Sequence, residues 1–131
     1  MKGLPALAQL KRAVAEAAKK GHILSLDGRK IPIRSPHAAL NSLLQSTGAI
    51  LCKTWFLTIR ETLEANGLVW GKDFYFLAHV HDEVQIAVKK GHEELVGNTA
   101  VEAAQKVAER FQFKCPLAAE FKVGDTWAST H

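Results

Sequence analysis

FYFLAHVHDEVQIAV, residues 74–88, is an apolar run interrupted at its centre by four titratable groups. Phe74 to Ala78 leads in, and Val84, Ile86 and Val88 alternate on the way out, the period-two pattern of a half-buried strand. Between them stand His79, His81, Asp82 and Glu83. A carboxylate buried without a partner is costly, so the two acids must be either paired or solvated. Three readings meet that condition. In one, His79, His81 and Asp82 are ligands of a metal such as zinc, because His-x-His on a strand points both rings to one face. In another, the four are edge residues with satisfied hydrogen bonds and no chemistry. In the third, the acids sit at the tip of a hairpin facing a cleft and bind Mg²⁺ for phosphoryl chemistry. The metal-ligand reading lacks partners, since His22, His37, His92 and His131 show no matching spacing. In the Mg²⁺ reading Asp82 and Glu83 are not equivalent, because successive strand residues point oppositely.

Around this segment the chain has the size and composition of one domain. Its 131 residues suffice to bury a core without staples, and 47% hydrophobic with 23% charged residues is ordinary for a globular protein. No apolar run reaches the roughly 18 residues needed to span a bilayer, so no membrane partner is expected. The first twenty residues lack an uncharged apolar segment followed by a cleavage site, which argues for an intracellular protein. Cys52 and Cys115 form no CxxC pair and fit a reducing compartment as small buried hydrophobes. Charge is asymmetric. Residues 1–60 carry ten Lys/Arg against Glu16 and Asp27, a net +8, whereas residues 61–131 are net −4. A basic front half suits a polyanion such as nucleic acid, and equally suits a solvated helix face.

Helical spacing of Leu7, Leu10, Val14 and Ala17/Ala18 predicts a first helix over Pro5–Lys20, stopped by Gly21. Two apolar stretches, 22–26 and 30–34, flank Asp27-Gly28, a strong hairpin signal. Ser35-Pro36 then opens a long helix from about 37 to 66, ended by Asn66-Gly67. Its expected apolar ridge is Leu40, Leu44, Leu51, Trp55, Ile59 and Leu63. His37, Asn41 and Gln45, four residues apart, would share one face beside that ridge. A third helix is expected over 92–111, with Leu95, Val96, Thr99, Ala103, Val107 and Ala108 inward. Final strands are expected within 113–123 and at 127–130. The whole reads as an α+β fold, an antiparallel sheet with helices on one face.

HVHDEVQ (79–85) resembles the third conserved motif of family A DNA polymerases, the polymerase I family. LDGRKIPIRSPHAALNSLLQSTGAILCKTW (26–55) is similar to the stretch preceding that motif in phage-type members. The segment from Phe113-Lys-Cys-Pro to Gly124-Asp-Thr-Trp resembles the end of such enzymes. The three stretches are collinear and cover about residues 20–131. The resemblance implies a palm fragment with a catalytic β-hairpin, working with Mg²⁺, a DNA template-primer and a dNTP. It makes Asp82 the metal-binding carboxylate, Glu83 the adjacent acid and His81 a contact to the primer backbone. Asn41 and Gln45 match positions that touch the minor groove near the newly formed base pair. Arg29, Lys30 and Arg34 are phosphate neighbours by charge, while His37 stands where bacterial members more often carry arginine.

The resemblance also implies parts this sequence lacks. A family A site needs a second aspartate, in a motif Asp-Tyr/Phe-Ser-x-x-Glu, and a fingers helix with Arg and Lys for the triphosphate. Neither is present. Residues 1–131 are therefore expected to form a single C-terminal palm fragment, with 1–21 a docking or fingers-derived helix. A partner polypeptide would complete the site in a split enzyme, this chain being inactive alone. The alternative is a non-catalytic DNA-binding or assembly module derived from a palm. A palm cut from its fingers would also expose a sheet edge and an apolar face, so self-association of the isolated chain is expected.

Overall fold

The structure, a computed structural model, describes residues 5–131, arranged as two compact units, 1–50 and 51–131. The expected segment 1–21 therefore begins with four residues that lie outside the described ones. In the first unit, α1 (Pro5–Ala18) leads into an antiparallel pair, β1 (His22–Leu24) and β2 (Lys30–Pro32). Their register sets Ile23 opposite Ile31. A 3₁₀ turn at Pro36–Ala38 precedes α2 (Ala39–Ala65), whose first part belongs to this unit. Val14, Ala18, Ile23 and Ala39 form the core, with Ile31, Ile33, Leu40 and Leu43 packed against it. Leu44, assigned to the buried ridge by its spacing, is 57% exposed, and Leu43 takes its place. Both lie on α2, three and four residues after the packed Leu40, and at 3.6 residues per turn either spacing falls near its face.

The second unit is built from the rest of α2, the hairpin β3 (Phe74–Val80) and β4 (Glu83–Val88), and α3 (Glu93–Arg110). Its core is Ile59, Leu63, Leu68, Phe74, Val96, Ala100 and Ala103, joined by Trp55, Phe76, Val84, Ile86 and Val88. Small residues on α3 let its neighbours approach closely, and the Trp55 Nε1–H donates to the Ala100 carbonyl at 2.7 Å. At Gly97 the approach is extreme: a Cβ there would overlap the Phe121 ring. The end of α2 is a Schellman stop. Leu68 N–H donates to the Leu63 carbonyl (3.1 Å) and Gly67 N–H to that of Glu64 (3.0 Å), with Gly67 at φ +86°.

Two expectations need revision. The strands form two separate pairs, β1–β2 and β3–β4, instead of one sheet. Residues 113–123 form no strand, and 127–130 are a 3₁₀ turn. Pro116 lacks a ladder donor, and Phe121 packs on α3 at Gly97. At 127–130 a local capping box wins: Thr126 N–H donates to Ser129 Oγ (3.1 Å) and Ser129 N–H to Thr126 Oγ1 (3.3 Å).

Candidate metal and nucleic-acid site

The acidic motif lies at the tip of the β3–β4 hairpin. Val80 pairs with Glu83, leaving His81-Asp82 as a two-residue loop. His81 has φ +55° while Asp82 has no positive φ, so the first loop residue holds a left-handed conformation that favours glycine. A β-bulge shapes the approach. Phe76 pairs with Ile86 and Ala78 with Gln85, so Leu77 is the extra residue. Before the bulge Phe74 and Phe76 share the core face with Val88 and Ile86. After it, His79 pairs with Val84 and so shares that face in turn.

His79 uses this placement. Its ring meets Phe56 of α2 edge-on, 4.5 Å between centroids at 82°, and its Nε2 lies 2.7 Å from the His81 carbonyl oxygen. Glu83 is held from two sides: Gln85 Nε2–H donates to Oε1, and His131 Nε2 lies 3.1 Å from Oε2. Asp82 itself is exposed and makes no hydrogen bond or ion pair with any described residue. It faces α2 closely enough to act on Cys52, whose thiol is pushed up by burial and further by the Asp82 charge. The hairpin thus presents one free carboxylate between two clamped neighbours.

Among the described residues, no three His, Cys, Asp or Glu side chains gather to hold a metal ion. The His79/His81/Asp82 triad is therefore not assembled as a ligand set. A lone solvated carboxylate is the wrong donor set for zinc, which takes three or four nitrogen and sulfur ligands. It suits Mg²⁺, which takes one or two carboxylates and fills its shell with water and substrate phosphate.

In the first unit, Asn41 and Gln45 are exposed and one helical turn apart on α2. His37 is also exposed but belongs to the 3₁₀ turn, off the register of that pair. Arg29 is already engaged. Its Nε and Nη2 each lie 2.7 Å from Asp27 Oδ2, and Ser25 Oγ donates to Oδ1 of the same carboxylate. The Arg29 guanidinium foremost, with Ser25, holds the Asp27 carboxyl far below the usual range. Lys30 and Arg34 are exposed and make no ion pair with any described residue.

Sequence reasoning missed His131 and Gln85 as the residues that hold Glu83. For Gln85 the signal was available, since i and i+2 on a strand share a face. For His131, 48 positions away, spacing gives none.

A family model described as DNA polymerase family A matches residues 7–129. The chain belongs to that family. It is 44% identical over 119 residues to the DNA-directed DNA polymerase of Enterobacteria phage T3 and 45% over 116 residues to that of Escherichia phage T7. In each case 86% of this chain aligns with 16% of the phage enzyme, so the chain spans about a sixth of those relatives. It is 26% identical to DNA polymerase I of Pseudomonas aeruginosa, over 95% of its own length and 14% of that protein. Among solved structures it is similar to the POL domain of Pol1 from M. smegmatis in complex with DNA primer-template and dNTP. That match has a TM-score of 0.71 at 21% identity, covering 95% of this chain and 23% of the other. The α+β fold of this chain is thus that of part of a polymerase domain.

Proposed function

We propose that this chain supplies one half of a DNA polymerase active site, the other half coming from a partner polypeptide. The observation that carries the reading is Asp82: an exposed carboxylate, unpartnered among the described residues, at a hairpin tip in a family A chain. Asp82 would hold Mg²⁺, which supplies charge neutralisation at the reacting phosphate and lowers the pKa of a bound oxygen. Glu83, tied to Gln85 and His131, is a secondary acid that stabilises the tip. His81, exposed and with no side-chain hydrogen bond or ion pair to any described residue, would contact the primer backbone. Asn41 and Gln45 read the minor groove, where an amide donor meets the acceptors every base pair presents. Lys30 and Arg34 contact phosphate, and Arg29 does so in competition with Asp27.

The reaction is attack of the primer 3′-oxygen on the α-phosphorus of a dNTP. A bond forms between them, the bond to the β-phosphate oxygen breaks, and pyrophosphate leaves. Positioning and charge stabilisation carry most of such transfers. Residues 1–131 hold no second aspartate in the family's motif, so on this reading the groups that complete the site lie outside them and these residues alone do not extend a primer. Exposed Leu57 (59%) and Leu77 (61%) support a surface that such a partner covers, and that associates with itself when uncovered.

Primer extension with this chain, a complementing polymerase polypeptide and Mg²⁺ tests the reading. Extension should occur only in the mixture and vanish with Asp82→Ala, while the complex still assembles. Normal extension by that variant refutes it. Salt-sensitive DNA binding without extension in any mixture would favour a non-catalytic module instead.

A further inference from the structure

We propose that His79 is a positioning residue for the catalytic turn, an inference that rests on the function proposed above. His81 must hold a positive φ that costs a non-glycine residue about 1–2 kcal/mol, and its carbonyl, within a two-residue loop, has no partner in the β3–β4 ladder. His79 supplies that partner. Its Nε2–H donates across 2.7 Å to the His81 carbonyl, so the ring carries its proton on Nε2. The ring is itself fixed from behind by Phe56, a buried residue of α2.

The bulge at Leu77 makes this arrangement reachable. Counting inward and outward residues in strict alternation from Phe74 places residue 79 outward, away from α2. The extra residue reverses the alternation and brings His79 over Phe56. A β-bulge, an edge-on aromatic contact and a side-chain hydrogen bond thus converge on one backbone carbonyl. That carbonyl directly precedes Asp82 and fixes the peptide from which its carboxylate projects. On the other side Glu83 is clamped by Gln85 and His131. His79 acts through His81 and does not touch substrate.

Two variants separate the hydrogen bond from the packing. His79→Phe keeps a ring against Phe56 and removes the donor; His79→Gln restores an N–H at a similar reach. In the isolated chain, ¹⁵N relaxation should show the His81 and Asp82 amides rigid in the native protein and in His79→Gln. Their order parameters should fall below about 0.6 in His79→Phe, with the thermal midpoint unchanged. In the complemented enzyme, His79→Phe should lower kcat roughly 10- to 100-fold with little change in the KM for dNTP, and His79→Gln should recover most of it. Unchanged tip dynamics in His79→Phe, or equal loss in both variants, overturns the inference. If Asp82→Ala is dead while His79→Phe extends normally, only this inference fails. If Asp82→Ala extends normally, the proposed function fails, and the relaxation result still decides whether His79 holds the turn.

Discussion

Gly97→Ala should destabilise the protein, although it replaces the poorer helix former inside an 18-residue helix. In isolation the substitution is worth about 1 kcal/mol in favour of alanine. Here a Cβ would overlap the Phe121 ring at its base and along one edge, so no small rotation clears it. Overpacking of this kind costs about 1–3 kcal/mol; alternatively the ring undocks and forfeits a half-buried phenylalanine, about 1–2 kcal/mol. Taking about 2 kcal/mol for the clash, the net effect is a loss near 1 kcal/mol. The companion variant makes the sign decisive. With Phe121→Ala already in place the clash is absent, and Gly97→Ala should then stabilise by about 1 kcal/mol. The coupling in the double-mutant cycle is therefore about 2 kcal/mol, well above the scatter of independent sites. Urea unfolding of the four proteins measures it, and thermal unfolding checks it, each kcal/mol shifting the midpoint by about 4 °C at this size. Stabilisation by Gly97→Ala in both backgrounds would refute the packing of Phe121 on α3.

Asp27→Asn should free Arg29 and tighten DNA binding, steepening the dependence of log K on log salt by about one unit; an unchanged slope would show that Arg29 does not reach phosphate. The Asp73 carboxyl is held below the ordinary range, foremost by the Val69 N–H at 2.9 Å and then by Lys89 at 3.6 Å. A depressed native pKa stabilises above the unfolded value of about 3.9 and is lost as pH falls through the native value, so Asp73→Asn should flatten stability against pH below about 4. Burial and the Asp82 charge both raise the Cys52 thiol, and only the thiolate is nucleophilic. Asp82→Asn should therefore speed alkylation of Cys52 at pH 8 while leaving the exposed Cys115 unchanged; equal Cys52 rates would place the tip away from α2.

Where local chemistry decides structure, the sequence was sufficient. Asn66-Gly67 stops α2 because glycine takes the left-handed conformation, and Asp27-Gly28 lies between β1 and β2 as its turn chemistry requires. The alternation of Val84, Ile86 and Val88 gave the inward face of β4. Long-range competition was not legible. Residues 113–123 have strand-like composition, but Phe121 finds a glycine on α3 and no neighbouring strand. At the site, the hairpin tip, with Asp82 in its loop and Glu83 at the start of β4, followed from titratable groups between apolar flanks. The bulge at Leu77 did not, because an inserted residue leaves the hydrophobic pattern of β3 nearly intact while reversing everything beyond it. That reversal brings His79 against Phe56, with its Nε2 on the His81 carbonyl.

Under the proposed function, the same hairpin lets the tip be ordered before the remaining ligands are in place. An isolated carboxylate on a mobile loop would lose conformational freedom each time it took part in binding. At this tip that ordering is already done: His79 fixes the peptide before Asp82, and Gln85 with His131 fixes the side chain after it. Asp82 alone is left without a partner, and this costs little because it is solvated. Pairing Asp82 internally would stabilise the isolated chain but compete with any cation for the carboxylate. Leaving the tip unclamped would keep the carboxylate free but let it wander from where a second aspartate must meet it. Clamped neighbours around a free acid satisfy both requirements, the arrangement expected of a site whose remaining ligands lie outside the hairpin.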